Sequence, residues 1–146
     1  CRSNLFYFVR NHLPFENLLY IGLRSIDSYE KAIIRNHNID VICSHRCNHQ
    51  LKQVLDEIKT FSANSPIHLS FDVDSIDPKY ISSTGTPVDK GIHKDSASKI
   101  LSYINNETDV INMDICELNL DIGTNEEKDK SLHNIIDILR PLDIIR

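Results

Sequence analysis

The amino-acid sequence predicts an α/β fold: a mostly parallel sheet with helices on both faces. Three observations carry that expectation. Short apolar runs alternate four times with stretches of helical spacing, the pattern of parallel strands joined by crossover helices. Residues 67–74 alternate with period two. Ile67, Leu69, Phe71 and Val73 share one face and His68, Ser70, Asp72 and Asp74 the other, as strand side chains do. No repeat, low-complexity tract or linker interrupts the series, so residues 1–146 read as one domain with right-handed connections.

The elements follow in order. LLYIGL (18–23) is an apolar run of strand length, and SYEKAIIRNHN (28–38) a helix with Ser28 as N-cap. IDVIC (39–43) is the second strand. In HQLKQVLDEIKTF (49–61), Leu51, Val54, Leu55 and Ile58 fall at helical spacing. PIHLSFDVD (66–74) is the third strand, and DPKYISSTGTPVDKG (77–91) a long loop rich in turn formers. KDSASKILSYINN (94–106) is a helix, DVINMDICELN (109–119) the fourth strand and KDKSLHNIIDILR (128–140) the last helix. The charged run NEEKDK (125–130) reads as a solvated turn before that helix.

Composition bounds the class. The chain has 146 residues, 40% of them hydrophobic, and a net charge of −5. That length sustains a real core. The charge gives no reason to expect nucleic acid or an anionic membrane surface as partner, and no apolar run is long enough to span a bilayer. Cys1, Cys43, Cys47 and Cys116 lack the dense spacing of a disulfide scaffold, which points to a reduced intracellular state. The opening CRSNLFYFVRNHLPF has no initiator methionine and no apolar signal-peptide core. It reads as part of something longer, or as a product whose beginning is not represented.

The third strand ends in acid. In open parallel sheets ligands sit beyond the carboxyl ends of the strands, where Asp72 and Asp74 fall. Their backbones, two strand residues apart, are separated by roughly 6.6 Å. Two carboxylates there suit a pair of divalent metals about 3.5–4 Å apart, and hard oxygen ligands favour Mn or Mg. A solvated strand end is the competing reading, with Asp77 and Pro78 starting a turn. A helix-loop-helix calcium site fails, because Ile76 stands where it needs an acid or amide and Asp77 where it needs glycine. His68 lies roughly 13 Å back along the strand from Asp72, too far to share a metal, and reads as a core or second-layer histidine. CSHRCNH (43–49) invites a zinc reading. On a strand its outer pair would sit about 20 Å apart, and on a helix the Cys and His pairs face opposite ways. Only a turn would converge them on one tetrahedral ion, so the segment reads as a strand end and a helix entry.

PIHLSFDVDSIDP followed by STGTP resembles the signature of the ureohydrolases, and YIGLRSID (20–27) and NMDICELN (112–119) match the same family in order and spacing. HLSFDVD and IGLR are more similar to arginase than to agmatinase or formimidoylglutamase. The resemblance covers nearly the whole chain and makes it the C-terminal half of an arginase domain, a partial three-layer fold. It implies two Mn ions and a hydroxide bridging them that attacks the guanidinium carbon of arginine, releasing urea and ornithine. By position it gives Asp72 as the carboxylate bridging both metals and Asp74 as a ligand of one. Glu117 would pair with the substrate guanidinium, Thr86 would line the site and Asp114 would orient a ligand. The resemblance implies a small-molecule substrate, a homo-oligomer and a cytoplasmic setting, a mitochondrial one remaining open.

The sequence also departs from the family. It holds neither the Gly-Gly-Asp-His nor the Asp-Ala-His-x-Asp segment that supplies the other metal ligands and a catalytic histidine. No catalytic residue is therefore assigned in this half, and the chain alone is expected to be inactive. Lys90 and Gly91 stand where two glycines are usual, Asp95 and Ser96 where an Arg-Glu pair makes trimer contacts, and Leu120 where proline follows the strand-end Glu and Asn. A regulatory subunit without activity, a degenerate fragment and an agmatinase-type enzyme are the alternatives.

Overall fold

The computed structural model describes residues 13–63 and 65–142. Four strands, β1 (Leu19–Leu23), β2 (Asp40–Cys43), β3 (Ile67–Asp72) and β4 (Val110–Cys116), alternate with helices α1 (Ser28–Asn36), α2 (Ser44–His49), α3 (Leu51–Ser62), α4 (Lys94–Glu107) and α5 (Asn125–Leu139). The α/β class and the parallel pairing are as expected. β1 pairs with β2 and β3 with β4, both in parallel. Among the described residues the two pairs form separate two-stranded sheets rather than one.

Local chemistry moved several boundaries. Asp27, not Ser28, caps α1. Its carboxylate accepts from Glu30 N–H at 2.7 Å, and the Glu30 carboxylate accepts from Asp27 N–H at 2.9 Å, a reciprocal capping box. The run NEEKDK is not a turn but the opening of α5. Thr124 caps it and Glu127 closes the box, while Glu126 and Glu127 favour the positive end of the helix dipole. The segment 43–49 is a strand end and the short helix α2, as read. Gln50, at φ −132° and ψ 38°, separates α2 from α3.

The alternation of β3 is realised. Phe71 and Val73 are buried, Ile67 and Leu69 partly buried, and His68, Ser70 and Asp72 exposed. The buried face joins Val54 and Ile58 of α3, Ile100, Leu101 and Ile104 of α4, and Ile135 and Ile138 of α5 in one apolar core. Burying each such side chain stabilises the fold by about 1.5–3 kcal/mol. α1 buries no residue, and its Tyr29 is 74% exposed. Among the described residues the core thus covers one face of β3–β4, and the polar face stands open. No helix among them is long and apolar enough to cross a membrane.

The two strand pairs meet at their carboxyl ends. Gly22 at the end of β1 has φ +95°, and a Cβ there would lie 2.8 Å from Ile92 Cδ1. Ile92 in turn bridges to the segment after β3. Its N–H donates to Ser75 O at 2.9 Å, and its carbonyl accepts from Asp77 N–H at 3.0 Å. Gly91 makes this possible, because a Cβ on it would fall 2.3 Å from Asp77 N.

Candidate functional site

β3 ends at Asp72, and Val73–Ser75 forms a 3-10 turn rather than continuing the strand. The expected strand spacing of the two carboxylates is therefore replaced by a tighter one. Asp74 N–H donates to Asp72 Oδ1 at 3.1 Å. Asp77 starts the next turn as expected, its carboxylate accepting from Lys79 N–H at 3.1 Å. The hydroxyl of Thr86 donates to Asp74 Oδ2 at 2.8 Å. Glu117 follows the last residue of β4 with φ +65°, a left-handed backbone that costs a non-glycine residue about 1–2 kcal/mol. Its Oε2 lies 3.8 Å from where a Cβ on Gly85 would stand. Asp72, Asp74, Thr86 and Glu117 thus gather where β3 and β4 end.

The loop carrying Thr86 is held from below. Ser131 Oγ on α5, fully buried, accepts from Ser82 N–H at 3.1 Å and Ser83 N–H at 3.2 Å. Asn134 Nδ2 donates to Tyr80 O at 2.8 Å, and Asn119 N–H to Ser83 O at 2.9 Å. The loop is thereby fixed to both α5 and the segment after Glu117.

Asp72 is exposed as a residue, but partial desolvation of its carboxyl at the strand end pushes it above its ordinary range. The Asp74 N–H opposes this, the Asp74 and Glu117 carboxylates reinforce it, and Arg24 opposes it weakly. Crowded negative charge of this kind is what a bound cation relieves. The donors are hard carboxylate oxygens and suit Mn or Mg. Asp72 and Asp74 fit as part of such a coordination sphere, which takes about six ligands. Among the described residues no three His, Cys, Asp or Glu side chains converge on a single metal position.

Two expected residues lie elsewhere. His68 is not in the core. It stands on the open face of β3, its Nε2 2.8 Å from Asp114 Oδ2 and its Nδ1 3.1 Å from the Asn112 amide nitrogen. Asp114, expected to orient a ligand, stands on the same open face. It accepts from Ser70 Oγ at 2.7 Å and Cys116 Sγ at 3.0 Å. These two bonds, Cys116 first, and the His68 contact hold its carboxyl below the usual range. In the segment 43–49, the His45 and His49 rings lie 4.5 Å apart between centroids with their planes tilted by 43°, and among the described residues this segment forms no group that converges on a zinc ion.

Arg24 was not singled out from the sequence. Its guanidinium reaches from the end of β1 to Asp74 O at 2.6 Å and Val88 O at 2.7 Å. The signal was its place: it directly follows a strand, at the same end of the fold as Asp72.

The fold and these strand ends define a class, an α/β domain segment in which three carboxylates and a threonine hydroxyl gather where two adjacent parallel strands end. The arginase family model matches residues 3–138. The chain is 38% identical to an arginase of Emericella nidulans over 70% of this chain and 32% of that protein. It is 37% identical to one of Entamoeba histolytica, over 75% of this chain and 38% of that protein. The crystal structure of Entamoeba histolytica arginase in complex with L-ornithine superposes with a TM-score of 0.87 at 30% identity, over 97% of this chain and 47% of that one. Bacillus subtilis arginase, at 23% identity, shares the fold with a TM-score of 0.79, over 90% of this chain and 46% of that one. The chain belongs to the arginase family, and it spans about a third of the length of these sequence relatives.

Proposed function

We propose that this chain supplies one side of a di-manganese site that hydrolyses the guanidinium of arginine to ornithine and urea. The gathering of Asp72, Asp74, Thr86 and Glu117 at the ends of two adjacent parallel strands supports the reading most directly. Asp72 and Asp74 would hold the Mn ions, which when bound activate water as the nucleophile at neutral pH. Thr86 donates to Asp74 Oδ2 and so orients that carboxylate. Glu117, a carboxylate on a strained backbone, would receive the substrate guanidinium through paired charge-assisted hydrogen bonds. Strain at such a residue persists only where its surroundings over-determine it, as the Asn119–Ser83 bond does here.

The remaining metal ligands and a catalytic histidine would come from segments of the Gly-Gly-Asp-His and Asp-Ala-His-x-Asp kind, which this sequence does not contain. The chain alone is therefore inactive on this reading. A silent arginase-like subunit is the second reading. The left-handed Lys90 where the family uses glycine favours it, as do Asp95 and Ser96 in the trimer-contact positions. The test is urea release from arginine and from agmatine in Mn buffer, by the chain alone and by a complete domain carrying it. The complete domain should make urea from arginine and lose that activity with Asp72→Ala. Urea from the chain alone, preference for agmatine, or indifference to Asp72→Ala would each overturn the reading.

A further inference from the structure

The strongest unassigned feature is the reach of Arg24. It stands one residue beyond β1, yet among the described residues its hydrogen bonds all go to backbone carbonyls far away in sequence. Nη2 donates to Asp74 O at 2.6 Å and to Val88 O at 2.7 Å, and Nε donates to Val88 O at 3.1 Å and Asp89 O at 3.3 Å. One planar fork thus joins three elements: the end of β1, the 3-10 turn that carries Asp74, and the turn after Thr86. Serving three carbonyls at once needs several donors in fixed directions, which guanidinium has and ammonium lacks.

The position of these carbonyls gives the contact its meaning. Asp74 is held at both ends. Its carbonyl accepts from Arg24, and its carboxylate Oδ2 accepts from Thr86 Oγ1 at 2.8 Å. Thr86 lies two residues before Val88, whose carbonyl the same guanidinium holds. Asp74, Thr86, Val88 and Arg24 therefore close a ring of hydrogen bonds. Within that ring the direction of the Asp74 carboxylate is set by how far the 86–89 turn stands from β1. Gly85, the residue before Thr86, faces the Glu117 carboxylate, so the same turn also borders the proposed guanidinium acceptor. Among the described residues no side-chain carboxylate pairs with Arg24, which sets it apart from the surface ion pairs Arg46–Glu57 and Arg140–Asp137.

We propose that Arg24 is a positioning residue for the cation site. By clamping the Asp74 carbonyl to the 86–89 turn, it fixes the spacing between the Asp74 carboxylate and Thr86 and so sets the site's affinity for Mn. The claim rests on the metal reading of Asp72 and Asp74 given above. It adds a residue that touches neither metal nor substrate and acts through the backbone.

The experiment uses a complete domain carrying this chain, as wild type, Arg24→Lys, Arg24→Gln and Asp74→Asn. Three quantities are measured: thermal midpoint, the rate of tryptic cleavage after Lys90, and Mn2+ affinity from loss of the free hexaaqua signal in electron paramagnetic resonance. Arg24→Lys keeps the charge and guards against failure of Arg24→Gln to fold. The expected result is at least tenfold faster cleavage after Lys90 and at least fivefold weaker Mn2+ binding in Arg24→Lys, with its melting transition still cooperative. Loosening of the turn with Asp74-dependent Mn2+ affinity unchanged would reduce Arg24 to a structural tie and overturn the proposal alone. Unchanged cleavage after Lys90 would overturn it as well. Wild-type Mn2+ binding that is absent, or indifferent to Asp74→Asn, would overturn the metal reading itself and the positioning role with it.

Discussion

Gly91→Ala should unfasten the segment that follows the site aspartates. A Cβ at position 91 would stand 2.3 Å from Asp77 N, 2.5 Å from Ile76 C and 2.6 Å from Asp77 Cα. All three are backbone atoms, so no side-chain rotation relieves the clash, and the 76–77 backbone must move away. Movement breaks the bridge at Ile92, whose two hydrogen bonds measure 2.9 and 3.0 Å, at about 1 kcal/mol each. It also displaces Ile76 and Ile92, which are 1% and 5% exposed. Overpacking of that kind costs about 1–3 kcal/mol. The sum is about 3–5 kcal/mol, which for a chain of this size lowers the melting midpoint by roughly 10–15 °C. Differential scanning calorimetry at fixed pH reads it directly. A midpoint lowered by less than about 3 °C would show that residues 75–77 and 91–92 do not pack backbone to backbone, and the account of how the turn after Asp74 is anchored would fail.

The other predictions concern the same frame. Lys90 has φ +65°, so Lys90→Gly should stabilise the chain by about 0.5–1 kcal/mol in urea titration. Ser131→Ala leaves the amides of Ser82 and Ser83 without their acceptor and should cost about 2 kcal/mol in the same titration. Burial, reinforced by the neighbouring Cys43, pushes the Cys47 thiol up to about 11 from an ordinary 9.0. A raised folded value means stability is lost as pH climbs from about 9 to about 11, because the unfolded chain releases that proton first. Melting curves across that window should fall less steeply for Cys47→Ala than for wild type, and parallel curves would refute the assignment.

What the sequence made legible was local or carried by a long motif. The period-two run from Ile67 to Val73 placed Phe71 and Val73 in the core and Ser70 and Asp72 on the open face, as the structure has them. The PIHLSFDVD and STGTP segments named Asp72, Asp74 and Thr86, and the register of NMDICELN named Glu117; the fold brings the four together. Two helix caps stand where the sequence reading does not put them. Thr124 and Glu127 form a Thr-x-x-Glu capping box that the surrounding charges obscured, and Asp27 competed with Ser28 for the same cap. Other features depend on distant partners and leave no local trace. The 3-10 turn at Val73–Ser75 is joined to Ile92 through Ser75 O. The left-handed Glu117 is set beside the Ser83–Asn119 bond. Arg24 binds carbonyls at positions 74, 88 and 89. For His68 the sequence leaves a core or a second-layer place open, and its Asp114 partner, which decides between them, lies 46 residues away.

The central claim is that Asp72 and Asp74 form one side of a manganese site. Anomalous diffraction at the manganese edge, from crystals of a complete domain carrying the chain grown with Mn2+, tests it most directly. The account predicts a peak within coordination distance of both carboxylates, lost in crystals of Asp74→Asn. A peak at another set of side chains, or none at the ends of β3 and β4, would contradict it.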